Sequence, residues 1–138
     1  MLLTALIALS TVGQTSSVPF KLLMKTEVKS PRPESAVLIQ TKRKAFDSLL
    51  LLSNDHPKPR EIRSYDWKRT NVIFVFPGYV QQDAKITVKS IKRNGTKLKI
   101  TLDSHRGLSA VAIYPVLILK VPKLPGDLEV SISDPNRI

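Results

Sequence analysis

Asp103, Ser104 and His105 are three consecutive residues with the side-chain types of a serine-hydrolase triad. In such a triad the histidine takes a proton from the serine while the acid orients the histidine. Neighbouring residues of an extended chain point to opposite faces, so these three cannot form that relay among themselves. The serine also lacks the Gly-x-Ser-x-Gly setting of a nucleophile elbow. We therefore expect no catalytic residues and no enzymatic activity.

The second histidine, His56, lies in a polar segment of residues 54–64 that contains two prolines. A single histidine in such a loop is typical of a solvated side chain. With two histidines and no cysteine in the chain, neither a preformed transition-metal site nor a disulfide framework is expected. The chain also has no glycine-rich phosphate-binding motif. We expect no metal and no cofactor.

Positive charge is the chemistry that the composition does offer. The 138 residues contain 22 Lys and Arg against 11 Asp and Glu, a formal charge of +11, and such a field favours acidic partners. In residues 84–103, apolar residues alternate with lysines on both sides of Asn94-Gly95, which predicts a β-hairpin with one basic face. The alternation slips at Ser90 and Ile91, which predicts a bulge or a longer loop. The candidate binding residues on this face and at its tip are Lys85, Lys89, Lys92, Arg93, Lys97 and Lys99.

Two interpretations of this basic face stay open. It could bind an anionic polymer of the cell envelope or an anionic lipid surface, where each cation contributes about 1 kcal/mol. It could also be a solvated sheet face whose lysines protect strand edges from pairing. The hairpin has no aromatic residue on which a base could stack, so a nucleic-acid partner is not expected.

The remaining segments predict strands and one helix. Residues 20–29 alternate as a half-buried strand, with Phe20, Leu22, Met24 and Val28 on its apolar side. Residues 41–53 carry an apolar stripe at helical spacing, with Thr41 as the N-cap. Residues 72–76 form a continuous apolar run that is typical of a strand buried on both faces.

The C-terminal third predicts two more strands. Residues 111–121 are nearly all apolar but contain Pro115, so this strand lies at an edge, begins again after the proline, or bulges there. Residues 128–133 alternate as a last strand. The sum is a single-domain α+β fold with a mostly antiparallel sheet of about six strands and one packed helix.

The N-terminal residues 1–12 form a short apolar run followed by small and polar residues, which indicates a secretory signal peptide over residues 1–17 and a mature domain over 18–138. Small residues allow cleavage after Gly13 or Ser17. The alternative is a buried first strand or helix. The run is too short to span a bilayer, which takes about 20 apolar residues. We expect a protein that is secreted or held in the cell envelope, in the periplasm or at the surface.

From residue 36 to residue 123 the order of features resembles the C-terminal domain of the protease complex subunit PrcB family. The features that carry the resemblance are AVLIQTKRKAFDSLL, Tyr65-Asp66-Trp67, VIFVFPG, the hairpin KITVKSIKRNGTKLKITL, and IYPVLILKVPK with its Tyr-Pro and Val-Pro-Lys. The resemblance implies an exported, non-enzymatic protein-binding domain, in a family named for a subunit that accompanies and stabilises a surface protease. The partner that it implies is a protein, such as an exported protease.

Overall fold

The computed structural model describes residues 15–52 and 67–136, which contain ten β-strands and one α-helix. The bounds of these elements, in chain order, are β1 Ser16–Ser17, β2 Lys21–Glu27, β3 Ser35–Ile39, α1 Lys42–Leu49, β4 Thr70–Phe76, β5 Val80–Gln81, β6 Lys85–Asn94, β7 Lys97–His105, β8 Ala112–Ile113, β9 Pro115–Pro122 and β10 Glu129–Ser133. The predicted signal peptide up to residue 14, His56, Tyr65 and Asp66 lie outside the described residues.

The strands form two four-stranded sheets and one short pair. Sheet A has the order β1-β6-β7-β10, and sheet B has the order β2-β9-β4-β3. All neighbours in sheet B are antiparallel, while in sheet A β10 runs parallel to β7. The pair β5-β8 is antiparallel. The predicted α+β class with mostly antiparallel strands is confirmed, but the number of strands exceeds the predicted six.

Sheet B is the middle layer of three. One of its faces packs against sheet A, where Ile73, Leu117 and Leu119 belong to the same cluster of buried residues as Leu98 and Ile100 of the hairpin. Its other face packs against α1 and the chain that follows it, through a second cluster of buried residues. Two hydrophobic clusters therefore share one sheet, and the strands in the centre of that sheet must be apolar on both sides.

β4 shows this double burial most clearly. Its residues Val72, Ile73, Phe74, Val75 and Phe76 are all at most 1% exposed. Even positions face α1 and odd positions face sheet A. The continuous apolar run predicted a strand buried on both faces, and the structure confirms it.

The helix is shorter than the predicted range of residues 41–53. Thr41 is its N-cap as predicted, because the Thr41 Oγ1 accepts a hydrogen bond from the Lys44 backbone N–H at 3.2 Å. The helix ends at Leu49, and Leu52 instead forms an isolated bridge with Val28 and is 1% exposed. The prediction that the helix includes Leu52 is wrong. Leu52 lies beyond the last helical turn, but it is buried, and so it continues the apolar sequence pattern of the helix.

The hairpin β6-β7 is confirmed, with a turn one residue later than the sequence indicates. Asn94 pairs with Lys97, which leaves Gly95 and Thr96 as the two loop residues. Gly95 has a φ of +61°, a conformation that glycine adopts without strain. The register shifts between Val88 and Ser90, so the slip in the alternation is a bulge and the turn is short.

One predicted strand face needs correction, and the structure decides between the alternatives for Pro115. The register of β2 shifts between Leu22 and Met24, so that Leu22 is 51% exposed, although Met24 and Val28 pack against the second cluster as predicted. A bulge reverses the side on which later residues lie, which a strict alternation cannot reveal. Pro115 begins β9, which lies between β2 and β4 in sheet B. The strand therefore begins again at the proline, and it is not an edge strand.

Candidate functional site

Five of the six predicted basic residues share the outer surface of sheet A. We call this surface the lysine face. Its members, all of them exposed, are Lys85, Lys89, Lys92, Lys97 and Lys99. Arg93 is not among them. It pairs with the fully buried Leu98, on the core side of the hairpin, and its Nε donates a hydrogen bond to the Gly95 carbonyl at 3.1 Å.

The centre of the lysine face brings like charges together. Lys92 and Lys99 lie directly opposite each other on β6 and β7, an arrangement that destabilises a sheet. Their flanking neighbours across the sheet are Ser17 and Ser131, which carry no charge. Within residues 15–52 and 67–136, no ion pair engages any of these lysines. Fold stability therefore does not explain this concentration of charge.

A second surface lies at the opposite end of the hairpin from its turn. We call it the loop end, and it consists of residues 79–84 and 106–111. Asp83 organises it, because its two carboxylate oxygens accept hydrogen bonds from the backbone N–H groups of Leu108 and Ser109, each at 2.9 Å. These bonds favour the charged carboxylate and lower the pKa of Asp83 below its ordinary value of 3.8.

Further bonds hold the same loop. The Gly107 backbone N–H donates to the Gln81 Oε1 at 3.0 Å, and the Gln82 backbone N–H donates to the Val111 carbonyl at 2.9 Å. A Cβ on residue 107 would collide with the Asp83 Oδ1. Residue 107 must therefore be glycine for the Asp83 carboxylate to reach the loop.

The loop end exposes apolar side chains on this fixed backbone. Leu108 is 98% exposed, and Tyr79 and Val111 are each 55% exposed. The Tyr79 ring contacts Tyr114 edge to face, with the ring centroids 6.0 Å apart. Leu108 is therefore an almost fully solvent-exposed apolar side chain on a loop that hydrogen bonds hold in place.

A cleft of about 180 Å³ lies beside this loop. Its apolar lining comes from Tyr79, Val80, Ala84 and Ile86. Polar residues also line the cleft. They come from β5, from the end of β7 and the residue after it, and from the segment after β10, and they are Gln81, Ser104, His105, Arg106, Asp134 and Asn136.

The three residues with triad side-chain types lie near this cleft. The His105 Nε2 is 3.4 Å from the Asp103 Oδ2, and the Asn136 Nδ2 donates a hydrogen bond to the Asp103 Oδ1. Ser104 follows Asp103 on the strand and so points to the opposite face of β7. The His105 side chain is 67% exposed. The histidine thus lies beside an acid, but Ser104 lies on the opposite face of the strand.

The sequence did not reveal the loop end. Residues 104–110 have the composition of a polar crossing segment, and 25 positions separate Asp83 from its hydrogen-bond partner Leu108. The signal that the sequence did contain was Asp83 before the hairpin and Gly107 after it. No rule of spacing connects these two residues, so the contact between the two loops could not be inferred from them.

Two further kinds of feature are absent from the described residues. No group of three or more His, Cys, Asp or Glu residues there could hold a metal ion. No helix among the same residues is long and apolar enough to cross a membrane. In the comparisons, no family model, no curated protein and no solved structure matches this chain. The resemblance to the PrcB family therefore stays a prediction.

Proposed function

We propose that this domain is a non-catalytic protein-binding module that contacts its partner through the loop end. The observation that carries the proposal is Leu108, which is 98% exposed on a loop held by Asp83. Burying a leucine side chain contributes about 1.5–3 kcal/mol. Because hydrogen bonds fix the loop before contact, little further entropy is lost on binding. Tyr79 and Arg106 at the same surface are residue types that dominate protein contacts.

The resemblance to the PrcB family supports a more specific form of this proposal. In it the domain is exported and serves as an accessory or stabilising subunit of a surface protease complex. The loop end then contacts the protease, and the sheets provide the rigid support for that contact.

Site-specific photo-crosslinking in the source organism tests the proposal. A benzophenone amino acid is placed at position 108, and in a matched control at position 50, because Leu50 is also exposed, at 64%, but lies at the end of α1. We expect one discrete cross-linked protein from position 108 and none from position 50, with mass spectrometry deciding whether it is a protease. Identical products from both positions, or none from either, would contradict the proposal.

The lysine face supports a second candidate function, the binding of a polyanion or an anionic envelope surface. The observation that favours it is the facing pair Lys92 and Lys99, which no acid of the described residues neutralises, with three further exposed lysines on the same surface. None of the exposed large apolar residues in the described part of the chain belongs to this face, so its contact with an anion would be electrostatic.

Binding to heparin and to phosphatidylglycerol vesicles tests this candidate. We expect the wild type to bind both and to release them as salt rises, because the Debye length falls from about 10 Å at 0.1 M to about 3 Å at 1 M. Replacing Lys85, Lys89, Lys97 and Lys99 with Glu should abolish binding. The control replaces four exposed lysines outside this face, Lys21, Lys25, Lys29 and Lys44, with Glu. Equal loss in both variants would show that net charge alone acts.

A further inference from the structure

The loop end presents a protruding side chain and a recess next to each other. Leu108 projects from the loop, and Gln81 joins the two features, because it lines the cleft while its Oε1 accepts the Gly107 N–H. The protrusion and the recess therefore keep a fixed relation. A surface of this kind can be complementary to itself.

The cleft has the size for a leucine side chain. Its volume of about 180 Å³ exceeds the roughly 150 Å³ of an apolar cavity that accepts benzene, and a leucine side chain has only four carbon atoms. Val80, Ala84 and Ile86 supply an apolar wall on one side of the cleft. A leucine that entered it would exchange water for carbon contacts.

The charges around the cleft also differ from those of the whole chain. The protein carries a formal charge of +11, and two such molecules repel each other. Close to the cleft, however, the carboxylates of Asp83, Asp103 and Asp134 accompany the cations Lys85 and Arg106. Three acids accompany two cations there, in contrast to the lysine face, so that two copies can approach through this surface with less repulsion.

We propose that the loop ends of two copies bind each other, with Leu108 of each copy in the cleft of the other. Such a contact is isologous and closes as a two-fold symmetric dimer, since the same patch supplies both the protruding and the receiving part. This inference rests on the proposed function, because it uses the same surface and names a second copy of this chain as the partner.

Sedimentation equilibrium of the purified protein in 0.15 M NaCl, over a wide range of protein concentrations, tests the dimer. We expect a concentration-dependent dimer in the wild type. Leu108→Asp should weaken the association at least tenfold, and Leu108→Ala should weaken it to a smaller degree. Leu50→Asp is the control, since it places the same charge at another exposed leucine and should leave the dimer unchanged.

A monomer at all concentrations, or equal weakening by Leu108→Asp and Leu50→Asp, would overturn the dimer. The two proposals can fail separately. If the protein is monomeric while position 108 cross-links to a different protein, the dimer is wrong and the protein-binding function stands. If the cross-linked product is a second copy of this chain, both are supported.

Discussion

At the scale of single residues, the carboxylate of Asp83 shapes the loop end. The proposed protein binding and the proposed dimer both depend on this surface. Asp83 binds two consecutive backbone N–H groups, and Gly107 leaves the space that its carboxylate occupies. Hydrogen bonds to a charged acceptor are about twice as strong as neutral ones. Sequence reasoning missed this contact because side-chain bonds between distant loops leave no periodic pattern. It did locate the exposed lysines, since their alternation with buried residues is local.

Replacing Asp83 with Asn should loosen the loop of residues 107–109. The two N–H groups bind different carboxylate oxygens, and an amide replaces one of these oxygens with an NH2 donor and removes the charge, so the N–H group that faces the amide nitrogen loses its partner. We expect faster amide hydrogen exchange at Leu108 and Ser109, measured by NMR, with the exchange of Ile100 and Phe74 in the sheets unchanged.

The same contact should depend on pH. The pKa of Asp83 is lowered in the folded protein, so its contribution is complete above the ordinary value of 3.8 and is lost as the pH falls through the lower, folded value. NMR titration of the Leu108 and Ser109 amide signals should show a midpoint below 3.8. A midpoint at or above that ordinary value, or the same titration in Asp83→Asn, would contradict this assignment.

At the scale of elements, β4 connects the two hydrophobic clusters. Its apolar run was predictable because burial on both faces removes polar residues altogether, and the hairpin was predictable because its alternation is regular apart from one bulge. The parallel pairing of β10 with β7 was not predictable, since strand partners distant in sequence are chosen by packing. The exposed Leu22 and the short helix likewise depend on tertiary contacts.

Phe74→Ala should be strongly destabilising. Phe74 is fully buried in the cluster between sheet B and α1. The ring centroids of Phe74 and Phe76 are 6.4 Å apart. Removing a buried phenylalanine ring costs about 3–5 kcal/mol. Chemical denaturation should show a loss in this range, whereas Leu50→Ala, at an exposed position, should change the free energy of unfolding by less than about 0.5 kcal/mol. Similar effects of the two changes would contradict the described burial.

At the scale of the whole molecule, the chain has a formal charge of +11 and no cysteine. The three-layer arrangement gives it two clusters of buried residues, one on each face of sheet B. The α+β class followed from the count of strand and helix patterns. The division of the strands between two sheets did not, because each strand pattern shows which residues are buried and not which sheet they face. The surface charge is uneven, with the lysine face at one part and a mixed-charge loop end at another.

The first strand bears on the predicted export. Ser16 and Ser17 pair with Arg93 and Lys92, and the Val18 N–H donates to the Ile91 carbonyl at 2.8 Å. Cleavage after Gly13 would keep this strand, whereas cleavage after Ser17 would remove it. We therefore expect the mature protein to begin at Gln14, as checked by N-terminal sequencing of exported material. A mature chain that begins at Val18, or a stable cytoplasmic chain that begins at Met1, would be the contrary result.

Sheet A takes its two outer strands from opposite ends of the described chain, β1 from residues 16–17 and β10 from residues 129–133. The sheet is therefore incomplete until β10 has been synthesised. The pairing of β1 with β6 also joins segments that are distant in sequence, and such pairings form slowly. If the protein is exported as the sequence predicts, this order of events would delay the completion of sheet A and leave the chain unfolded for longer before it crosses a membrane.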